Sequence, residues 1–426
     1  MRNKKTIILI FASLLNILIF SNNDIALTAQ PISLKAAISE ALAKNPEITA
    51  AKRSYEAAAA KILQAASLND PLLELEYDKM TADRMLSGDP MKTYAISQEV
   101  PFPTKIYLRA RIASKLARIA YENYRAKERD VISQVKNAYS ELSIIYKSIE
   151  VTNENKGILD QFSSVATSRY STSQGSQADA LKSQIELAKI DNQLIMLEQK
   201  RVTAQARLNI LMNKDPKEEI GVPEPEGFVT FTSPLEEFYT LAQQNNQELK
   251  AYRYAIERGK AAYDLSLNEF MPDFMVKFRQ MVKRDRPDEK AWAGMLGVTI
   301  PLWFFEKQAF GVKEMKSELE MVKAEYRMKE NLVLFDVRDS YARAEASKKT
   351  IELYETSFIP QADEAVKAAR AAYESGRADF LTLLDSQRML IDFKLDHYKT
   401  ILEFRIALAD LERSIGVDLD TLQGKK

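Results

Sequence analysis

Apolar and polar positions follow two rhythms along this chain, and each rhythm occurs twice. Within residues 104–168, Val131, Val135, Ala138, Leu142, Ile145 and Ile149 are spaced four, three, four, three and four apart, the seam of a heptad coiled coil. That stretch contains no proline, and Gly157 is its only glycine. It is predicted to form one helix of roughly 98 Å at the α-helical rise. Globular helices run about 8 to 20 residues, so this helix belongs to an elongated coiled-coil object. It ends in a polar tip, residues 169–175. The second rhythm has period two. Leu73-Glu74-Leu75-Glu76-Tyr77-Asp78 alternates apolar with acidic and predicts a strand with unlike faces, and Phe274, Val276 and Phe278 alternate with Lys277 and Arg279 in the same way.

Taken in order, the pattern predicts a helix over 33–67, N-capped by Ser33 and stopped at Asn69-Asp70-Pro71. A strand at 73–78, a loop at 81–90 and a strand at 94–100 follow, and Pro101-Phe102-Pro103 ends the second strand before the long helix. A helix over 176–212 returns, carrying Leu181, Ile185, Ile190, Leu194 and Leu197. Residues 213–233, with Pro216, Pro223 and Pro225, are an irregular connector. The order then recurs: a helix over 235–268 stopped by Pro272, strands at 274–279 and 292–300 around a charged loop, and Pro301. A second long helix over 306–373 has Met315, Leu319, Val322 and Tyr326 at heptad spacing. A tip at Glu374-Ser375-Gly376 precedes a return helix to about Ile415, with Ile391, Leu395, Tyr398 and Leu402 on its seam.

The two halves are a tandem repeat displaced by about 200 residues. Pro71 matches Pro272, Val100-Pro101 matches Ile300-Pro301, Ala178-Asp179 matches Ala378-Asp379, and Asn45-Pro46-Glu47-Ile48 matches Asn246-Gln247-Glu248-Leu249. The expected division is a leader (1–29), a first repeat (30–212), the connector (213–233), a second repeat (234–417) and a tail (418–426). In each half two short helices placed in line, roughly 52 and 56 Å in the first, match the length of the long one. Four strands cannot close a barrel, and an open sheet would leave unpaired edges, so an obligate oligomer is expected.

Composition narrows the chemistry. Twelve glycines, 46% hydrophobic residues and 28% charged residues suit an extended, mainly α architecture with a small β part. Lys plus Arg and Asp plus Glu both number 60, so no nucleic-acid partner is indicated. The absence of cysteine excludes disulfides, thiolate metal sites, a cysteine nucleophile and a lipidated N-terminal cysteine. Arg2, Lys4 and Lys5, an apolar core at 6–20 and Leu27-Thr28-Ala29 read as a signal peptide cleaved before Gln30. That core spans only about 22 Å of a hydrocarbon layer near 30 Å, which favours cleavage over an uncleaved anchor. No nucleotide loop, catalytic constellation or cofactor site is present, so the chain does not read as an enzyme. His397, the only histidine, makes no metal site, and Met271, Met275 and Met281 read as lipid-facing or packed.

The tips and strand ends carry a resemblance over residues 31–417. Gln98-Glu99-Val100-Pro101 and Val298-Thr299-Ile300-Pro301 at the strand-to-helix joins are similar to the TolC family of outer-membrane efflux proteins, heavy-metal and RND-type relatives included. So are Tyr170, Gly175-Ser176 and Asp179-Ala180-Leu181 at the first tip, and Tyr373-Glu374-Ser375-Gly376, Asp379 and Leu384-Asp385 at the second. The resemblance implies a homotrimer with a twelve-stranded barrel in outer-membrane lipid and a long antiparallel helical tunnel in the periplasm. It also implies a periplasmic adaptor (membrane fusion protein) and an inner-membrane pump as partners. The chain would passively conduct small solutes, drugs or metal ions; a type I polypeptide-secretion channel, or a periplasmic scaffold without a barrel, is the alternative. On the strands, Leu73, Leu75 and Tyr77 would face lipid, and Glu74, Glu76 and Asp78 the lumen.

The resemblance also implies a gate. Asp385 would line the periplasmic constriction, where three carboxylates about one axis concentrate cations and repel one another. Tyr373 would bond across the tip, with Asp179 as acceptor. Gly175 and Gly376 allow the tight tip turns, and with Ser176 and Arg377 they mark where adaptor hairpins would dock. The family's locking arginine is displaced here by one position, to Arg377, so no lock is read there. Pro360 costs a helical hydrogen bond and marks a bend.

Overall fold

Two asparagines determine where the short helices break. The computed structural model describes residues 31–77, 91–225, 233–283 and 286–419. The expected leader, the loop at 81–90, and parts of the connector, the charged loop and the tail lie outside the described residues. The helix expected over 33–67 is two helices, α1 (Leu34–Lys44) and α2 (Pro46–Ala66). Asn45 separates them: its Oδ1 accepts from the Glu47 and Ile48 amides at 2.9 and 3.4 Å, capping α2. Its Nδ2 donates to the Leu211 carbonyl at 2.9 Å. The long helix α3 (Pro103–Ser171) and the return helix α4 (Gln177–Leu211) follow. In the second half Asn246 separates α5 (Leu235–Asn245) from α6 (Gln247–Asn268). It caps α6 through the Leu249 amide (3.0 Å) and donates to the Ser414 carbonyl (2.9 Å). Each asparagine thus starts one helix and ties it to the end of another.

At 69 residues α3 is about 104 Å long. Val131, Val135, Ala138 and Leu142 of its predicted seam are buried against Ala37, Ala41, Leu208 and Met212. The second long helix is interrupted. α7 (Lys307–Leu353) passes into a π turn, Tyr354–Phe358, before α8 (Ile359–Glu374). Pro360 has no amide hydrogen and its ring crowds the preceding turn, and a widened π turn directly before it accommodates both. The last helix, α9 (Phe380–Ile415), ends at Gly416 with φ +75°.

The strands β1 (Leu72–Tyr77), β2 (Met91–Val100), β3 (Asp273–Lys283) and β4 (Lys290–Thr299) form one antiparallel sheet in sequence order. The central β2–β3 pair joins the halves, Val100 facing Phe274 and Ser97 facing Lys277. That register sorts the side chains. Leu73, Leu75, Tyr94, Ile96, Phe278 and Leu296 are exposed on one face. On the other, Glu74 pairs with Lys277 and accepts from Ser97 Oγ at 3.4 Å. The alternation places Met275 and Met281 on this polar face with Lys277 and Arg279, which removes the lipid-facing option for both and leaves the packed one.

Below the sheet, α2 and α4 lie in line along one side of α3, and α6 and α9 along the other; α7 packs on α6 and α9. The chain therefore has two open sides. One carries β1, α2 and α4, with Leu63, Leu181, Ile185 and Val202 exposed. The other carries β4 and α7, with Met321, Met328, Leu332 and Phe335 exposed.

An ionic latch fastens sheet to helices where the halves meet. Lys105, in the first turns of α3, is only 2% exposed, and its Nζ lies 2.9 Å from Asp273 Oδ2 and 3.5 Å from Glu269. Asp273 Oδ1 accepts the Phe102 amide at 2.9 Å, and Thr104 Oγ1 donates to Asn268 Oδ1 at 2.6 Å. Lys105 is the buried member and its carboxylates stay partly exposed, so Lys105→Met should cost about 1.5 kcal/mol through lost charge-assisted hydrogen bonds, seen as a lower thermal midpoint of the helical signal, whereas Lys105→Arg should keep most of the stability.

Candidate gate and docking tips

The two tips are built alike but not from the residues that look alike. α3 ends at Ser171 and α4 is N-capped by Ser176; α8 ends at Glu374 and α9 is N-capped by Asp379. In each five-residue connection the second residue has a left-handed backbone, Ser173 at φ +60° and Gly376 at φ +71°. The Ser173 amide donates to the Tyr170 carbonyl and the Gly376 amide to the Tyr373 carbonyl, both at 3.0 Å. The structural equivalents are therefore Ser173 with Gly376 and Ser176 with Asp379, not Asp179 with Asp379 as the sequence match suggested. Gly175 plays a different part from Gly376. Its φ is not positive, but a Cβ there would lie 2.9 Å from Arg169 Cβ. Space, rather than handedness, calls for that glycine.

Asp379 Oδ1 accepts from the Thr382 hydroxyl at 2.5 Å and the Thr382 amide at 2.9 Å. These bonds, the side-chain one first, hold its carboxyl below the usual aspartate range. Ser176 Oγ accepts from the Ala178 amide at 3.1 Å. Arg377 is exposed, with its Nε 3.0 Å from Ser375 Oγ.

Arg169, which the sequence reading passed over, joins the tips. Its guanidinium lies 4.5 Å over the Tyr373 ring and donates to the Tyr373 and Glu374 carbonyls at 3.1 and 3.0 Å. It thereby satisfies orphan carbonyls at the C-terminus of α8, where a cation is favoured. Tyr373 is buried against Phe380 and shares a cluster with Leu159, Phe162, Ala166 and Leu383. Within the chain Tyr373 has no bond to Asp179, which stands exposed in the first turn of α4. The structure therefore brings Tyr373 to Arg169 and leaves Asp179 apart.

Asp385 is exposed on α9, its Oδ1 3.5 Å from Arg388 Nη1. Arg388 also reaches Glu186 of α4 at 2.8 Å, and Lys189 pairs with the same carboxylate at 2.7 Å. Burial alone would raise the Glu186 pKa, but the hydrogen bonds from Lys189 and Arg388 outweigh it and hold the group below the usual glutamate range. A depressed carboxylate contributes its full stability above the unfolded value and loses it only as pH falls through the folded one. The Glu186–Arg388 link therefore persists under mild acid. Deeper in the coil, Gln387 Nε2 donates to Asn155 Oδ1 at 2.9 Å with both residues buried. The remaining predicted special residue, His397, lies beside the π turn between Tyr354 and Tyr398, its Nε2 3.2 Å from Glu355. Among the described residues no group of three or more His, Asp or Glu side chains could hold a metal ion, and no helix is long and apolar enough to cross a membrane.

Comparison with known proteins agrees with this architecture. The model of a family described as "Outer membrane efflux protein" matches residues 37–214 and 238–417, one match per repeat. The cobalt-zinc-cadmium resistance protein CzcC of Cupriavidus metallidurans is 22% identical over 396 residues, covering 91% of each chain. Among solved structures, CusC superposes with a TM-score of 0.81 at 14% identity, over 94% of this chain and 95% of that one. The open state of the MtrE outer-membrane channel of Neisseria gonorrhoeae gives 0.78 at 15%, over 91% and 89%.

Hydrogen bonds to a charged group contribute about 1.5–3 kcal/mol. Arg169→Ala should accelerate hydrogen exchange in residues 373–380 by at least about tenfold, while amides around Val135 and Leu208 keep their protection. Unchanged exchange at 373–380 would show that the Arg169 bonds do not hold the tip.

Proposed function

The chain belongs to the outer membrane efflux protein family, and from that premise we propose that three copies close one twelve-stranded barrel above one helical tunnel. The protein is an outer-membrane efflux channel with its helical part in the periplasm. The observation that carries closure into a ring is the coincidence of open sides. The free edge of β1 stands over the exposed stripe of α2 and α4, and that of β4 over the stripe of α7. Head-to-tail contact of unlike sides closes a ring and pairs every edge.

In that ring the exposed apolar strand face meets lipid and the face bearing Glu74 and Lys277 lines the lumen. The tunnel conducts passively, with energy supplied by an inner-membrane pump and transmitted through a periplasmic adaptor. The adaptor's hairpins dock at the tips, where Gly175, Ser176, Gly376 and Arg377 lie. Asp385 lines the constriction as a ring of three carboxylates. Tyr373 holds the resting tip through its packing, and Asp179, free within the chain, is available to the neighbouring copy. Opening unwinds the tip about Gly376 and the π turn before Pro360. The name of the CzcC relative supports divalent metal cations as the cargo.

Planar-bilayer recording of the purified trimer tests the gate. The native protein should show discrete, small, cation-preferring conductance, and Asp385→Asn should lose the preference without losing assembly. Unaltered ion selectivity in that variant would remove Asp385 from the constriction, and a protein that never inserts would refute the channel.

A further inference from the structure

Strand parity keeps the methionines of the sheet on one side. Met91 of β2, Met275 and Met281 of β3 and Met295 of β4 all stand on the polar face, with Glu74, Lys277 and Arg279. The lipid face of the described strands has none; its large apolar residues are leucine, isoleucine, valine and aromatic rings. Fourteen methionines in 426 residues would, in proportion, place fewer than one on a face of this size. The polar face reverses the choice of its neighbour. Apart from Leu72 at its lower end, every large apolar side chain on it is a methionine. A wall that needed only apolar cover could use the aliphatic residues of the other face. What methionine adds is a soft, polarisable thioether sulfur. We infer that these methionines form two stations on the lumen wall that bind soft metal cations such as silver(I) or copper(I). The inference rests on the channel proposed above and sorts its metal cargo by softness.

The register groups the four residues into two pairs. Met275 faces Gly297 and Met295 faces Lys277, so these two methionines are diagonal neighbours on β3 and β4. Diagonal neighbours lie about 7–8 Å apart, within reach of long side chains. Met275 leans toward β4, its Cε 3.4 Å from where a Cβ on Gly297 would stand. With Met275 38% and Met295 47% exposed, this lower pair is open to the lumen. At the upper end Met281 faces Thr93 and Met91 faces Lys283, again a diagonal. Both line one cavity of about 370 Å³, together with Asp288 and Glu289. Lys283 and Arg286 hold Glu289 at 3.1 and 3.0 Å. The row of Glu74, Ala95 and Arg279 separates the two pairs. From Met275 to the row of Met91 is roughly 27 Å at the strand rise.

Charge gives this wall little preference for cations. Glu74, Glu76, Glu99 and Asp273 stand on it against Lys277, Arg279 and Lys283, and Glu74 is paired with Lys277. The thioethers supply a preference of another kind. They are neutral and bind hard, strongly hydrated ions weakly, whereas silver(I) and copper(I) accept sulfur readily. Two sulfurs, with water completing the shell, hold such an ion loosely. Conduction needs that looseness, because an ion must both enter a station and leave it, and weak stations in line allow this where one tight site would not. In the ring each station occurs once per copy around one axis.

Silver nitrate is the probe, because the chain has no cysteine and its only histidine, His397, lies on α9. In bilayers bathed in potassium nitrate, micromolar silver should lower the conductance of the native trimer at least about twofold as ions dwell at the stations. Met→Leu keeps the bulk and removes the sulfur. Met91→Leu/Met281→Leu and Met275→Leu/Met295→Leu should each weaken the silver effect. The fourfold variant should abolish it while keeping the potassium conductance and any response to zinc nitrate. A silver effect that survives all four substitutions, or a native channel indifferent to silver, would overturn the stations and leave the channel standing. Loss of the zinc response together with the silver response would overturn the assignment to sulfur. A chain that forms no channel would refute the ring, and the stations with it. A second measurement needs no variant. Silver should protect these four methionines of the native trimer from peroxide oxidation, read by mass spectrometry, but not Met389, which is exposed on α9. Equal protection of Met389, or none of the four, would equally remove the stations.

Discussion

Backbone amides and carbonyls that lack a partner cannot remain in hydrocarbon, where each costs several kcal/mol, and this sheet has two edges of them. β1 and β4 each present a free row of donors and acceptors. The exposed residues beside those rows, from Leu73 to Leu296, suit lipid and leave the strands no aqueous refuge. Closure with other copies follows from that constraint. So does the form of the helical part, which must keep the same circular order as the strands above it. α2 beneath β1 and α7 beneath β4 are the helices left uncovered.

Between sheet and tunnel the directions of the chain change abruptly, and polar contacts fix the change. Lys105 binds Asp273 and Glu269 across the halves, and Phe102 and Thr104 add bonds to Asp273 and Asn268. Farther down, Asn45 and Asn246 reach the ends of α4 and α9. At the tip Arg169 caps α8. The apolar seams give the coil its adhesion, but a heptad seam tolerates sliding by whole turns. Directional bonds at three levels set its register.

Much of this was legible in the sequence because it depends on period and punctuation. The heptads of α3, the alternation of β1 and β3, and the prolines that end strands are local signals, and the repeat doubled each of them. What escaped depends on contacts across the fold. Asn45 and Asn246 were visible as matching landmarks, yet their role as helix breaks needs the distant carbonyls of Leu211 and Ser414. The pairing of Ser173 with Gly376 lies in backbone handedness, which residue identity hides. Met275 and Met281 were judged by chemical kind, whereas strand parity decides their face. Arg169 looked like one more polar tip residue until the Tyr373 ring was seen beneath it. The π turn had a signal in Pro360, but the proline indicated a fault in the helix without saying how it would be absorbed.

The latch also bears on ancestry. A ring of six identical half-length chains would satisfy the same strand arithmetic, and the repeat shows that such a subunit is geometrically conceivable. Chemically it is not available to this protein. A lone first half would bring Lys105 onto Leu68 and Leu72, a buried cation with nothing to neutralise it. The latch is therefore a contact that only the joined halves can make.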